Sequence, residues 1–208
     1  TGNWTFAAGS VKEVYPLWWY SGSGSYSSAL LSAIVSIGTN GGDIIFSSGI
    51  YTFATAVDGS GYKYNLIGSG IDVTTFQKTA NIDMHKLGTH ANQVRGITFD
   101  GNSYTGKCLD ISSINNNVLK DVKFKNNAGT SETGAALYTY RASLLLMDNI
   151  YFVNNGKHFH ISANGLNVGY MEVGDSSGNI SKFDGSDYVG GTQDSMSINF
   201  IYIVDNTG

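Results

Sequence analysis

Apolar and polar positions alternate in short bursts along this chain, and five of the bursts share one pattern. They read Arg95-Gly-Ile-Thr-Phe-Asp-Gly-Asn102, Lys120-Asp-Val-Lys-Phe-Lys-Asn-Asn127, Asp148-Asn-Ile-Tyr-Phe-Val-Asn-Asn155, Gly169-Tyr-Met-Glu-Val-Gly-Asp-Ser176 and Asn199-Phe-Ile-Tyr-Ile-Val-Asp-Asn206. Each places an apolar residue, an outward-type residue and a second apolar residue before a turn of Asn, Asp or Gly. That alternation predicts a strand, because successive side chains of a strand face opposite sides. Aligned on the first apolar position, the bursts begin at Ile97, Val122, Ile150, Met171 and Ile201, with gaps of 25, 28, 21 and 30 residues and a mean of 26. A recurrence of that size marks a solenoid.

The residue types select the kind of solenoid. Leucine-rich repeats carry Leu at fixed offsets, and ankyrin or tetratricopeptide repeats carry two amphipathic helices per period. Here the spacers are Gly, Ser, Asn and β-branched residues, and no helical stripe follows residue 37. Successive windings therefore stack as parallel strands about 4.8 Å apart. The predicted inward columns are Ile97, Val122, Ile150, Met171 and Ile201, beside Phe99, Phe124, Phe152, Val173 and Ile203. A turn column of Asn102, Asn127, Asn155, Ser176 and Asn206 suits amide-to-amide stacking, since Asn tolerates the left-handed backbone of a sharp corner. The fold class expected is all-β, a parallel β-helix.

Earlier residues are organised differently. Residues 1–25 are rich in Gly, Ser and aromatics and read as an extended lead-in. Residues 26–38 read as one helix: Ser27 or Ser28 caps it, Leu30, Ala33, Ile34 and Ile37 form a stripe, and Gly38 ends it. Such a helix laid across the first winding would cover an open core and an unpaired strand edge. Residues 39–208 form the coil. It opens with Gly41-Gly-Asp-Ile-Ile-Phe-Ser-Ser-Gly-Ile-Tyr-Thr-Phe53, a strand, a tight turn and a strand, and Tyr64-Asn-Leu-Ile-Gly-Ser-Gly70 starts the next winding.

Composition narrows the function classes. The 208 residues suit one domain, and 27 Gly beside a single Pro fit stacked strands and turns. A net charge of −4 without a basic run argues against nucleic acid. The lone Cys108 excludes an internal disulfide and reads as a packing or surface residue. No run reaches the roughly 18 apolar residues of a membrane span, so no membrane insertion is expected.

The order helix, "GGDIIFSSGIYTF", "YNLIGSG", then rungs of the "GITFDGN" and "DVKFKNN" kind resembles the start of pectate-lyase-like right-handed β-helices, the version in bacteriophage tailspikes and capsule depolymerases. Gly41, Gly42, Phe46, Gly49 and Tyr51 keep that family's first motif, while Ser47 and Ser48 stand where its prolines usually sit. The segment from Ser21 to Ser25 replaces an Asp-rich stretch. The resemblance spans about residues 11 to 206. It implies a right-handed coil, a homotrimer packed side by side, a place on the virion tail beside other tail proteins, and a bacterial surface polysaccharide as partner, bound and often cleaved. The family's coil is usually longer, so a piece of a longer protein is expected.

Site chemistry falls to the outward columns. One presents Thr98, Lys123, Tyr151, Glu172 and Tyr202, so Glu172 lies between two tyrosines on adjacent rungs. Rings pack on sugar faces while an acid takes hydroxyls. A second column comes from Asp110, Tyr138 and His160, with Arg141 close by, if Leu109, Leu137 and Phe159 point inward. Substrate contact is thus expected from Tyr151, Glu172, Tyr202, Tyr138 and Arg141, with Glu172, Asp110 and His160 as catalytic candidates. His158 and His160 share a strand face, but two ligands make a poor metal site. The histidines read as surface residues, with His85 and His90 in an irregular stretch. No metal or cofactor is expected. Glycoside hydrolysis needs two carboxyls, and a lyase needs a base beside a group that neutralises a uronate. Asp100, Asp121, Asp148 and Asp175 all flank turns, where Asp commonly serves the backbone.

Two function classes follow. One is a polysaccharide depolymerase domain. The other is a non-catalytic structural or receptor-binding shaft, slightly favoured by the thin supply of aligned carboxylates. A cellular surface adhesin is a third, and Asn3-Trp-Thr5 and Asn179-Ile-Ser181 are glycosylation sequons.

Overall fold

The computed structural model describes residues 6–88, 92–113, 115–168, 171–175, 182–183, 196–198 and 201–205, with side chains up to residue 160 apart from 132 and 141–144. Every strand pairing is parallel, and each strand lies on the one a winding earlier. Val14, Ile44, Leu66, Val94, Leu119, Met147, Val168 and Ile198 form one unbroken column of register partners. A second runs Tyr51, Phe76, Phe99, Phe124, Phe152, Val173 and Ile203. A third runs Val57, His85, Leu109, Leu137 and Phe159. The molecule is a parallel-strand β-solenoid, and the predicted columns through Ile97 and Phe99 take the expected register.

The core is the space those columns enclose. Ile97, Phe99, Val122, Phe124, Ile150 and Phe152 are fully buried. Phe124 stacks between Phe99 and Phe152, with ring centroids 5.3 and 5.1 Å away and planes 11° and 12° from parallel. A winding-long repeat forces this arrangement, because register partners carry the same ring on consecutive rungs.

One α-helix, Ser27–Ile37, precedes the second winding; Leu30, Ala33, Ile34 and Ile37 are buried, and Gly38 N–H bonds to Ile34 O. The expected serine cap is not formed: the N-cap is Tyr26, and Ser25 Oγ accepts from Ser27 N at 3.1 Å instead. Ser27 Oγ donates to Thr55 O at 2.8 Å, which pins the helix start to the coil rather than to itself. The lead-in is also less separate than its composition suggests. Glu13–Val14 is a strand paired with Asp43 and Ile44, so the solenoid takes its first rung from before the helix.

Corners are made by left-handed residues in two stacked sets. Gly96, Asp121 and Asn149 have φ of 65°, 54° and 57° and precede Ile97, Val122 and Ile150. Asn126 and Asn154, at 54° and 52°, follow the strands. Asn102, with φ of 50°, bends as expected, but on the next two rungs the stacked amides sit one residue earlier than the sequence column: Asn154 Nδ2 donates to Asn126 Oδ1 at 2.9 Å, and Asn126 Nδ2 to Asp100 Oδ1 at 3.2 Å. Asn127 and Asn155 point inward and are buried. Asn155 Oδ1 accepts from Asn127 N at 3.0 Å while its amide donates to Phe124 O at 3.0 Å, so these side chains stitch rung to rung through backbone. Ser176 and Asn206 lie outside the described residues.

Lys78 is wholly buried at the same corner, where Nζ donates to Thr105 O at 3.1 Å, Gly106 O at 2.6 Å and Asn127 Oδ1 at 2.8 Å. Burial holds its pKa below the usual lysine value. Cys108 lies 3.6 Å from the same Asn127 oxygen and is buried, which pushes its thiol up to about 11. It is a packing residue.

Candidate functional site

The outward column of the long strands keeps its predicted register, Thr98, Lys123, Tyr151, Glu172 and Tyr202 on successive rungs. Glu172 is set by backbone between the two tyrosines, and its side chain and that of Tyr202 lie outside the described residues. Lys123 Nζ holds Asp72 Oδ2 at 2.8 Å, and that contact draws the Asp72 carboxyl below its usual range. Lys125 bridges Asp72 and Asp100 at 4.0 and 3.6 Å.

The second column aligns Asp58, Lys86, Asp110, Tyr138, His160 and Lys182. Leu109, Leu137 and Phe159 point inward as expected. Tyr138 and His160 stack with centroids 5.1 Å apart, and Lys107 Nζ sits 4.5 Å from the Tyr138 ring centre. Asp110 has both oxygens engaged, Oδ2 by Lys107 Nζ at 2.6 Å and Oδ1 by Ser112 N at 2.9 Å. Burial draws Lys107 down, but Asp110 and Asp83 outweigh it and leave its pKa raised. The Arg141 side chain lies outside the described residues.

Three of the four histidines are not surface residues. His85, His158 and His160 are all buried, and His90 lies outside the described residues. His85 is in the short strand His85–Lys86 rather than an irregular stretch. Its Nε2 is 2.9 Å from Tyr64 Oη, and burial lowers its pKa to about 4. His158 and His160 do not share a face: His158 packs against the inward Phe152 ring and lies 3.3 Å from the Asn155 amide, whereas His160 stacks on the outward Tyr138.

A feature the strand pattern did not single out lies at the first corner. There the left-handed residues leave a shallow groove of about 510 Å³, lined by residues 67–71 with Arg95, Gly96, Asp121 and Asn149. Gly96 is required: a Cβ there would lie 2.7 Å from Gly68 O. Asp121 and Asn149 repeat the bend on the next two rungs and keep polar side chains. Asn149 Nδ2 donates to Asp121 Oδ1 at 2.6 Å, and Tyr151 Oη donates to Asn149 Oδ1 at 2.7 Å. The predicted Tyr151 is thereby joined to the groove edge. The groove offers a guanidinium, a carboxylate and an amide along one backbone-walled trough, with the Tyr151 phenol bonded to its edge. It can take a hydroxyl-rich ligand by hydrogen bonds and by packing on the Tyr151 ring.

Fold and groove together define a parallel β-solenoid with a polar trough along one corner. No family model matches the chain, and no curated protein matches it. Among solved structures it is similar to ORF18 of Geobacillus virus E2, with a TM-score of 0.67 and 16% identity over 82% of this chain and 40% of that one. This likeness is one of fold, and the chain spans less than half the length of that protein.

Proposed function

We propose that this chain is a right-handed, pectate-lyase-like β-helix of a virion tail appendage, a tailspike or tail fibre, and that it binds polysaccharide on the host cell surface. The observation that carries the binding is the corner groove, where Arg95, Asp121 and Asn149 come from three consecutive rungs and Tyr151 is tied to its edge through Asn149. The fold shared with a protein of Geobacillus virus E2 supports the viral setting. In this reading the helix covers the open core of the early windings, three copies pack side by side, and other tail proteins hold the assembly. Tyr202 and Glu172 continue the Tyr151 column and extend the sugar contact, while Tyr138 and Arg141 serve a second face.

Binding without cleavage fits the carboxylates better than hydrolysis does. Asp110 has both oxygens hydrogen-bonded, and Asp72 and Asp100 are held by Lys123 and Lys125. A glycosidase needs two carboxyls left open toward one bond. The test is to incubate the purified chain with host capsule or lipopolysaccharide and size the products. Intact glycan co-migrating with the protein is expected. Shortened glycan would make the chain a depolymerase, and no association at all would overturn the proposal.

A further inference from the structure

We infer that the corner groove selects an acidic polysaccharide and that Arg95 receives its acid group; this deepens, and rests on, the glycan-binding reading. Arg95 is exposed and lines the groove, with Ile67 as its register partner on one side and Lys120 on the other. Two cations therefore stand in register on adjacent rungs, a placement that costs stability unless something negative lies between or over them. Lys120 is partly answered by Asp148, 3.8 Å away. Arg95 forms no ion pair among the described residues.

The other charged group of the groove does not meet that need. Asp121 Oδ1 is taken by the Asn149 amide, and Asn149 Oδ1 by Tyr151. These three are linked along the corner, and neither of these hydrogen bonds involves the guanidinium. Arg95 is exposed and lines a trough whose backbone wall includes Gly68, Gly70 and Gly96, and its guanidinium is a planar fork of donors. A fork of that shape binds carboxylate or phosphate with two parallel hydrogen bonds, and a neutral sugar cannot match it. The remaining Asp121 oxygen and the Tyr151 ring then face the sugar's hydroxyls and apolar side. Uronate and phosphodiester repeats both supply the required acid.

The test compares the full chain with Arg95→Gln and Arg95→Lys on immobilised acidic polysaccharides, polygalacturonate, hyaluronate and poly(glycerol phosphate) teichoic acid, and on host capsule before and after carboxyl reduction. Arg95→Gln is expected to weaken binding about 10- to 100-fold with an unchanged melting temperature, and Arg95→Lys to recover part of it. Loss on carboxyl reduction identifies a uronate, and retention of teichoic acid alone identifies a phosphodiester. Neutral glycan bound equally by the wild-type chain and Arg95→Gln would overturn the acid inference while leaving the glycan reading intact. No binding to any glycan, host capsule included, would sink both.

Discussion

The two corners of the winding make the same backbone bend with the same residue types, yet spend their side chains in opposite directions. At the first corner Gly96, Asp121 and Asn149 turn the chain, and Asp121 and Asn149 send their polar groups outward, into the groove. At the second, Asn126 and Asn154 turn the chain, and the residues after them, Asn127 and Asn155, are buried. There the amides join Lys78, Phe124 O, Gly134 O and His158 in a polar file inside the coil. A left-handed turn thus fixes only the path of the chain. Whether the corner becomes cohesion or a surface for a ligand depends on which neighbour of the turn residue faces in.

If that contrast is right, removal of interior groups should damage stability and removal of groove groups should not. The largest effect is expected next to the polar file, in the ring stack. Phe124→Ala should cost about 3 to 5 kcal/mol, because the cavity would lie between two rings that cannot close on it. Equilibrium denaturation in urea measures this, and a loss below about 1 kcal/mol would contradict the inward stacking of Phe124.

Acid should come second. His85 is buried beside Tyr64 in the third column, where its folded pKa is about 4 against an ordinary value of 6.5. The unfolded chain therefore binds the proton more readily, and stability rises with pH across that window. It is fully present above about 6.5 and is lost as pH falls toward 4, by about 3 kcal/mol in all. The check is the melting temperature between pH 7 and 4 for the protein and for His85→Gln. The variant should show a shallower fall over the same range, and equal slopes would remove His85 as the cause.

Much of the coil was legible in the chain because strand alternation is a local signal that each rung repeats. Ile97, Val122 and Ile150 could be aligned by eye, and so could Tyr151 with Lys123. The corners were not legible. In Asn126-Asn127 and Asn154-Asn155 the bending residue and the buried one are the same amino acid, so composition could not say which amide points inward. The groove was hidden for another reason. Its residues come from four separate stretches, at 67–71, 95–96, 121 and 149, and singly each looks like a turn or a solvated charge. The histidines misled because His85 sits in a two-residue strand, too short to show a period, and its ring meets Tyr64, which is remote in sequence.

The third effect is expected at the second corner. Asn127→Leu removes the amide that accepts from the Lys78 ammonium and donates to Gly134 O, leaving a buried charge with carbonyl partners only. A cost of about 2 to 3 kcal/mol follows, since hydrogen bonds to charged groups exceed neutral ones. The double variant with Lys78→Met should recover part of that loss, because no ammonium then needs the amide. A double variant no more stable than Asn127→Leu alone would mean that Lys78 and Asn127 act independently.

The smallest effect is the one that separates the corners most sharply. Asn149→Ala at the outer corner deletes a side chain that hydrogen-bonds to Asp121 in the groove and to Tyr151 at its edge. Asn149 has φ of 57°, so alanine bears a left-handed backbone cost of about 1 kcal/mol and little else. Glycine at the same position should remove even that strain while still emptying the groove of its amide. The two variants together therefore distinguish conformation from chemistry. Asn149→Gly is expected to melt within a few degrees of the parent and to bind host glycan more weakly, with Asn149→Ala slightly less stable and equally weak. If Asn149→Gly instead lost stability on the scale of Asn127→Leu, the outer amides would be holding rungs together as the inner ones do. The two corners would then differ in exposure but not in role.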